Sequence, residues 1–435
     1  MKNKSAILEI EGIGQEKSLK GSIKINGAKN AALKAMAAAI LFDGPVTLNN
    51  IPDNEDVKTM SDILSKLGAK VINDGKHCLK IDTSKIHSTA IDPKLASSMR
   101  ASIVLSGPML GRFGKLTFPA PGGCVIGSRP IDLFIDGYEK LGASTTETEC
   151  IYEMNAPKGL TGSEITFKKI SVGATETLMM AAVMAKGTTT LNNCAKEPEI
   201  VNVADWLNAC GAKIMGQGTS TITIEGNAGR LLTPKVPYTA IPDRIEAGSY
   251  LLLGAMLASD IRIENCRPDH LGAVIDLLRK SGVEIKTGDG FVHIVNNKPN
   301  KNYVSVDIET REYPGFPTDL QAQAVTFLTQ VTGTSTVTET IFEGRFKYVQ
   351  DLISLGARID QVSAHEIKVH GPTPFTLSPL DQIFKAHDIR AGFALIMALI
   401  AGKGKYSIKD IHLVDRGYEH IENRLKELGV NVKRV

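Results

Sequence analysis

The sequence predicts an α/β protein of two domains, assembled from six copies of a βαβαββ-like unit with three copies in each domain. Three observations support this fold class. The chain has 435 residues, too many for one ordinary domain of ~100–200 residues. A helix that ends in glycine and leads into a short strand recurs six times. The helix that opens each repeat is rich in alanine and leucine, which is typical of a buried element.

The recurring glycines set the period of the repeat at about 72 residues. They are Gly68, Gly142, Gly211, Gly282, Gly356 and Gly429. Glycine just after a helix adopts the left-handed conformation without steric cost, so each glycine predicts a helix end. Six such ends in register indicate an internal repeat.

The first helix of a repeat is predicted at residues 28–40, 172–185, 319–331 and 389–401, and a short strand follows each one, such as 46–48 or 189–191. A unit of ~72 residues has too little core to fold alone, so three units are expected to share one core. The first helices are apolar on all sides, which predicts helices inside each domain and sheets outside.

A proline-containing crossing near residues 234–242 is the predicted domain boundary. We assign residues 29–241 to the first domain, and residues 1–28 together with 242–435 to the second. From the residues alone, the N-terminal strand at 6–25 could pack in either half. A flexible loop is predicted at 119–130, where three prolines and three glycines disfavour regular structure.

Composition excludes several classes of protein. Apolar residues make up 43% and charged residues 22% of the chain, as in a folded protein, and a net charge of +3 is not that of a nucleic-acid binder. The longest apolar run, 389–402, is too short to cross a bilayer. The six cysteines are widely separated and lack metal-ligand spacing, so we expect a reduced cytoplasmic chain without disulfides or a metal.

Charged residues recur at the predicted helix starts. First helices begin near Lys29, Arg100, Arg244, Asp319 and Arg390, and second helices near Asp56, Arg129, Glu199, Asp269, Arg345 and Arg416. A cation opposes the helix dipole at this end, whereas a bound anion is favoured there. Any one arginine could simply be exposed and paired with a carboxylate, but the set predicts a site for a multiply charged anion.

Cys124 differs from the other cysteines because it lies in the predicted loop, five residues before Arg129. A mobile thiol near a cation has the setting of an acid or a nucleophile. The alternative is an inert loop thiol.

Several segments together resemble the UDP-N-acetylglucosamine 1-carboxyvinyltransferase family, collinearly over essentially the whole chain. They are Gly27-Ala28-Lys29-Asn30, Met99-Arg100-Ala101-Ser102, Pro121-Gly122-Gly123-Cys124, Ser171-Val172-Gly173-Ala174, Phe316-Pro317-Thr318-Asp319 and Asp415-Arg416-Gly417-Tyr418. The resemblance implies two inside-out α/β barrel domains of three repeats each, in agreement with the sixfold repeat.

The resemblance also implies the reaction. Phosphoenolpyruvate would donate its enolpyruvyl group to the 3-hydroxyl of UDP-N-acetylglucosamine with release of phosphate, the first committed step of peptidoglycan synthesis. Both partners are small molecules, and neither a cofactor or metal nor a nucleic acid, membrane or protein partner is expected.

The resemblance assigns roles residue by residue. It implies catalytic roles for Cys124, Asp319, Lys29 and Arg416. It implies phosphoenolpyruvate binding by Lys29, Asn30, Arg129, Arg345, Arg390 and Arg416. It implies UDP-sugar binding by Arg100, Arg129, Pro130, Ile131, Asp132, Leu133, Lys169, Ile170, Ser171, Val172, Asp319 and Ile341.

The chemistry suits these residue types. Attack of a hydroxyl on C2 needs a base, for which we favour Asp319, and C3 must gain a proton, for which we favour Cys124. Asp319 could also be an ordinary acidic helix start. Three alternative functions are a 5-enolpyruvylshikimate-3-phosphate synthase, which lacks the loop with Cys124, a non-catalytic nucleotide-sugar-binding regulator, and a repeat scaffold without a ligand.

Overall fold

The structure is a computed structural model in which residues 6–14, 18–120, 131–295, 303–375 and 383–435 are described. The strands are β1 (Leu8–Ile13), β2 (Lys20–Lys24), β3 (Val46–Asn49), β4 (Lys70–Asn73), β5 (Cys78–Asp82), β6 (Lys115–Pro119), β7 (Ser144–Thr148), β8 (Ile151–Asn155), β9 (Glu164–Thr166), β10 (Thr188–Asn192), β11 (Lys213–Met215), β12 (Thr221–Glu225), β13 (Tyr238–Thr239), β14 (Asp260–Glu264), β15 (Ile285–Gly288), β16 (Phe291–Ile294), β17 (Ile308–Glu309), β18 (Gly333–Thr338), β19 (Arg358–Gln361), β20 (Glu366–Gly371), β21 (Ile383–Lys385), β22 (Lys403–Lys409) and β23 (Asn431–Arg434).

The α-helices are α1 (Lys29–Ala38), α2 (Glu55–Leu67), α3 (Pro93–Ser98), α4 (Ser106–Phe113), α5 (Asp132–Lys140), α6 (Val172–Met184), α7 (Pro198–Ala209), α8 (Arg244–Met256), α9 (Gly272–Lys280), α10 (Gln321–Leu328), α11 (Val349–Ser354), α12 (Ile389–Ala401), α13 (His412–Asp415) and α14 (Ile421–Glu427). Short 3₁₀ turns cover Ala39–Leu41, Arg100–Leu105, Pro268–Leu271 and Thr318–Leu320.

The described chain divides into two compact units. The first unit holds residues 27–120 and 131–241, and the second unit holds residues 6–26 and those from 242 onward. The sequence predicts that the first domain begins at residue 29, two residues later than the first unit begins in the structure. Gly27 and Ala28 belong to the first unit because the Ala28 N–H donates to the Ile241 carbonyl and Ala28 packs against Ala31 and Ile241.

The described strands form six sheets, three in each unit. In the first unit the strand orders are β13-β3-β5-β4, β6-β8-β7 and β11-β12-β10-β9, and in the second they are β15-β16-β14-β2, β17-β18-β20-β19 and β21-β22-β1-β23. Each four-stranded sheet combines one parallel pair with antiparallel neighbours, such as β9 parallel to β10 and β12 antiparallel to it. One sheet for each repeat is the arrangement that the period predicts.

The N-terminal strands resolve a choice that the sequence left open, because both lie in the second unit. β2 runs parallel to β14, and β1 lies between β22 and β23, antiparallel to both. β1 therefore supplies one of the two inner strands of the sixth sheet.

The six glycines end helices as predicted. All six have positive φ, from 89° at Gly142 and Gly429 to 108° at Gly68 and Gly211. In each case the next residue's N–H donates to the carbonyl five residues earlier, as from Ala69 to Leu64. This bond satisfies one of the carbonyls that a helix end leaves without an internal partner.

The first helices are buried on all sides, as predicted. Every residue of α12 is buried, and so is every residue of α6 from Ala174 to Met184. The strands alternate buried residues with partly buried or exposed ones, as in β10 and β14. The first helices therefore form the interior of each unit and the sheets lie outside them, because a helix that is apolar on every face must be buried.

Two predicted helix starts are wrong. α11 begins at Val349, four residues after Arg345, and α14 begins at Ile421, five residues after Arg416. Arg416 instead follows the C-terminal end of the short helix α13. The glycine predicts the C-terminal end of each helix correctly. The spacing back from the glycine does not predict the N-terminal end as well, because a turn followed by a short helix can span the same number of residues as a longer helix.

Candidate functional site

In the second unit, two of the predicted arginines donate hydrogen bonds to a third predicted residue, the carboxylate of Asp319. Arg345 Nη2 donates to Asp319 Oδ1 at 3.1 Å, and Arg390 Nη2 donates to Asp319 Oδ2 at 2.9 Å. The arginine side chains are 4% and 6% exposed, whereas that of Asp319 is 31% exposed. Two buried cations therefore hold one carboxylate that reaches solvent.

The segment that carries Asp319 is held by Glu339, a buried residue that directly follows β18. Thr318 Oγ1 donates to Glu339 Oε2 at 2.9 Å, and the backbone N–H of Ile341 donates to Glu339 Oε1 at 2.9 Å. The predicted sugar-site residue Ile341 is thereby linked through one carboxylate to the segment of Asp319. Arg345 also donates to the Thr318 carbonyl at 3.2 Å.

Arg390 lies in the first turn of α12, as the sequence predicted. Asp388 caps this helix by accepting from the N–H groups of Arg390 and Ala391 at 2.7 and 2.9 Å. Burial by itself lowers the pKa of Arg390, but Asp319 and other nearby groups outweigh it and raise the pKa. The guanidinium also lies 5.5 Å from the centre of the Tyr418 ring. Its charge is therefore fixed in place by neighbours on several elements.

Tyr418 is the centre of a buried polar cluster beneath these residues. Its hydroxyl lies 2.8 Å from Ser249 Oγ and accepts from Gln323 Nε2 at 3.0 Å, and its ring stacks on Phe393 at 4.5 Å. These partners belong to α8, α10 and α12. The segment that includes Arg416 is thus anchored among the three central helices of the second unit.

In the first unit, Lys29 is the first residue of α1 and its side chain is nearly buried. Lys29 Nζ lies 3.1 Å from Asp56 Oδ2, and Asp56 is in the first turn of α2. A cation at one helix start is thus paired with a carboxylate at another, where the dipole favours a negative charge. Asn30 follows in α1 and is partly exposed.

Arg100 begins the 3₁₀ turn Arg100–Leu105. Burial lowers the pKa of its guanidinium, and the nearby Tyr152 opposes this effect. Partial burial raises the free energy of the charged guanidinium, and a bound anionic ligand would offset that cost.

The structure brings the two predicted sugar-site segments of the first unit close together. Asp132 and Leu133 open α5, while Ser171 caps α6 by accepting from the Ala174 N–H at 3.3 Å. A Cβ at Gly173 would lie 3.1 Å from Phe134 Cζ, so the helix starts pack closely. Ile131, Lys169, Ile170 and Val172 flank these starts.

Cys124, Arg129 and Pro130 lie outside the described residues, as does the predicted loop from residue 121 onward. Of the other predicted site residues, those in the first unit are Lys29, Asn30, Arg100, Ile131, Asp132, Leu133, Lys169, Ile170, Ser171 and Val172. Those in the second unit are Asp319, Ile341, Arg345, Arg390 and Arg416.

Sequence reasoning missed the carboxylates that hold these residues. The sequence predicts Asp56 only as a helix start, and its pattern does not distinguish Glu339 from other carboxylates. Two buried ion pairs were also missed, Lys34–Glu176 at 3.0 Å and Arg424–Glu246 at 3.2 Å. A charged residue inside an otherwise apolar helix is the signal that could have revealed Lys34, Glu176 and Glu246.

Burial raises the pKa of both Glu176 and Glu246 to about 7, against the opposing influence of Lys34 and Arg424. Within the described ranges, no group of three or more histidine, cysteine, aspartate or glutamate residues is arranged to hold a metal ion. None of the helices in the described part of the chain is long and apolar enough for a membrane crossing.

The sequence of the chain is similar to those of known proteins. Residues 13–425 match the family model described as EPSP synthase (3-phosphoshikimate 1-carboxyvinyltransferase). A relative from Wolinella succinogenes named UDP-N-acetylglucosamine 1-carboxyvinyltransferase is 42% identical, over 97% of this chain and 98% of its own. One from Caldanaerobacter subterraneus subsp. tengcongensis, named UDP-N-acetylglucosamine 1-carboxyvinyltransferase 3, is 42% identical over 96% and 97%.

Solved structures share the fold. The enolpyruvyl transferase NikO from Streptomyces tendae superposes with a TM-score of 0.88 at 24% identity, over 99% of both chains. An EPSP synthase from Acinetobacter baumannii superposes with a TM-score of 0.72 at 16% identity, over 99% of this chain and 100% of its own. The predicted two-domain α/β fold is confirmed.

Proposed function

This chain belongs to the UDP-N-acetylglucosamine 1-carboxyvinyltransferase family, and we propose that the clusters described above carry out the reaction of that family. The enzyme transfers the enolpyruvyl group of phosphoenolpyruvate to the 3-hydroxyl of UDP-N-acetylglucosamine and releases phosphate. This is the first committed step of peptidoglycan biosynthesis.

The pairing of Asp319 with Arg345 and Arg390 is the main support for the proposed roles of these residues. Phosphoenolpyruvate bears a phosphate and a carboxylate, and guanidinium groups bind both anions through paired N–H donors. Both arginines are almost fully buried, so their charges are poorly screened by water and act strongly on a bound anion. A developing negative charge would be stabilised without reorganisation of the side chains.

Asp319 is proposed as the base that accepts the proton of the sugar 3-hydroxyl. Its two arginines stabilise the ionised carboxylate, which is the form that can accept a proton. Phosphoenolpyruvate would compete with Asp319 for the same guanidinium groups. Binding of the donor would therefore leave the carboxylate a stronger proton acceptor at the moment when a base is needed.

Cys124 is proposed as the acid that protonates C3. The sugar oxygen forms a bond to C2 while Asp319 takes the hydroxyl proton and Cys124 gives a proton to C3, which yields a tetrahedral phosphate ester. The Cys124 thiolate then takes a proton back from C3, which restores the double bond as the C2–O bond to phosphate breaks and phosphate leaves. Lys29, Asn30, Arg129 and Arg416 are proposed to bind the phosphate and carboxylate of the donor.

The UDP-sugar is proposed to bind at Arg100, at residues 129–133 and at 169–172, with Asp319 and Ile341 at the sugar. The close packing of the α5 and α6 starts supports this assignment, because helix N-termini with unpaired N–H groups favour phosphates. We place the reaction in the cytoplasm, because the widely spaced cysteines are typical of a reduced chain. Two small-molecule substrates and no required protein partner are proposed from the resemblance to the family.

A phosphate-release assay tests this function. Phosphoenolpyruvate is supplied with UDP-N-acetylglucosamine, with shikimate 3-phosphate, or alone. Phosphate should be released at a substantial rate only with UDP-N-acetylglucosamine. Release with shikimate 3-phosphate would favour the sister activity named by the family model, and binding of the nucleotide sugar without release would favour a non-catalytic regulator.

A further inference from the structure

Arg434, in the last strand β23, makes a bidentate ion pair next to Arg416. Arg434 Nη1 donates to Asp415 Oδ2 at 2.8 Å, and Nη2 donates to Asp415 Oδ1 at 2.7 Å. Nη2 also donates to Glu422 Oε2 in α14 at 2.8 Å. One guanidinium therefore joins β23 to α13 and α14, on either side of the turn that carries Arg416.

Gly417, in the same turn, packs against α12 beside Arg390, which is proposed to bind the donor. A Cβ at Gly417 would lie 2.5 Å from Ile389 Cγ2 and 3.3 Å from Arg390 Nη1, so only glycine permits this approach. The N–H groups of Gly417 and Tyr418 both donate to the Val414 carbonyl, at 2.9 and 3.0 Å. The backbone of residues 414–418 is thus constrained at Asp415 and again at Gly417.

We propose that Arg434 is a positioning residue for Arg416: by clamping Asp415 through two parallel hydrogen bonds, it fixes the turn that presents the Arg416 side chain to phosphoenolpyruvate. This inference rests on the proposed function of Arg416. Arg434 does not itself touch the donor in this proposal, and its effect passes through the backbone of residues 415 and 416.

Burial distinguishes this pair from an ordinary surface ion pair. The side chains of Arg434, Asp415 and Glu422 are 28%, 22% and 17% exposed. A planar guanidinium can meet both oxygens of a carboxylate at once, whereas an ammonium meets it as a point charge. Arg434 therefore fixes the orientation of the Asp415 carboxylate as well as balancing its charge.

β11 offers a matched control because it is the corresponding edge strand of another repeat. Lys213 Nζ lies 2.6 Å from Glu225 Oε1, with side chains 62% and 56% exposed. This pair is a surface contact in the first unit, between β11 and β12. Lys213→Gln therefore removes a strand-edge ion pair without affecting any predicted site residue.

The test compares Arg434→Lys, Arg434→Met and Lys213→Gln in steady-state kinetics, with thermal unfolding as the measure of folding. Misplacement of a group by about 1 Å can cost on the order of 10²-fold in rate, so we expect a smaller shift of Arg416 to cost about tenfold. We expect Arg434→Met to raise KM for phosphoenolpyruvate about tenfold, Arg434→Lys to raise it less, and KM for UDP-N-acetylglucosamine to change by less than about twofold. Lys213→Gln should leave both constants unchanged.

A double variant separates positioning from a structural role. If Arg434 acts through Arg416, then Arg434→Met should have little further effect on KM for phosphoenolpyruvate in an Arg416→Met background. A full additional tenfold rise in that background would overturn the proposal. So would a loss that affects both substrates equally and follows the melting temperature.

The Arg416→Met variant alone keeps the two proposals distinguishable. If it leaves KM for phosphoenolpyruvate unchanged, the proposed function of Arg416 is wrong and the inference about Arg434 falls with it. If Arg416→Met raises this KM but Arg434→Met does not, the function stands and only the positioning role is wrong.

Discussion

The charge on Asp319 can be removed with little change of shape by Asp319→Asn. Asparagine keeps one oxygen that can accept from Arg345 or Arg390, but it cannot take the hydroxyl proton and no longer balances two buried cations. The substitution therefore affects catalysis and stability for different reasons, and the two effects can be measured separately.

The expected loss in kcat is ~10²–10⁴-fold, the usual range for removal of a general base. At about 1.4 kcal/mol for each factor of ten, this equals roughly 3–5 kcal/mol in the activation barrier. Removal of one partner from a buried ion pair costs about 3–5 kcal/mol of folding free energy. Since the Asp319 side chain is 31% exposed, water compensates part of this cost, and we expect about 2–3 kcal/mol.

The assay is phosphate release at saturating substrates, together with the free energy of unfolding by denaturant. Asp351→Asn is a suitable control because Asp351 pairs with His387 at 2.8 Å in the same unit and is 24% exposed. It should reduce stability modestly and leave kcat within about twofold. Asp319→Ala, which removes both acceptor oxygens, should be less stable than Asp319→Asn.

Retention of more than about a third of kcat by folded Asp319→Asn would refute the role of base. Asp319 would then serve to bind ligand or to hold the two arginines. A fall in kcat that is matched by the Asp351→Asn control would point instead to a general loss of the native structure.

Three further predictions concern other groups. Thiol alkylators shaped like phosphoenolpyruvate, including fosfomycin, should label Cys124 and stop turnover, and labelling should be faster when UDP-N-acetylglucosamine is bound. Peptide mapping that finds another cysteine labelled would contradict this. The variant Cys124→Asp should escape labelling yet retain some activity, because a carboxylic acid can also donate a proton. Asp56→Asn should raise KM for phosphoenolpyruvate about tenfold, since Lys29 loses a carboxylate 3.1 Å away, and an unchanged KM would show that this pair is only structural. Because burial raises the pKa of Glu176 to about 7 from 4.5, its stabilising contribution is complete below pH 4.5 and is lost as the pH rises through 7. Thermal unfolding of Glu176→Gln should therefore vary less between about pH 5 and 8 than that of the parent, and equal slopes would contradict the assignment.

The repeat and the buried helices of each unit follow from local features of the sequence. Gly68 and its five counterparts mark helix ends by a local rule, because only glycine enters the left-handed conformation without cost, and the structure has positive φ at all six. The apolar run of α12 predicted its bounds of 389–401, since a helix without a polar face must be buried. Short motifs such as the one ending at Asp319 likewise pointed to the family.

Which charged residues pair with one another depends on how the chain folds. Arg345 and Arg390 lie 26 and 71 residues from Asp319, and Asp56 lies 27 residues from Lys29, so no local pattern pairs them. The same holds for β1, which completes a sheet with strands from the opposite end of the chain. Periodicity reflects residues that are neighbours along the chain. Ion pairing instead requires that the N-terminal ends of different helices lie within a few ångströms of one another, and the packing of whole repeats sets those distances.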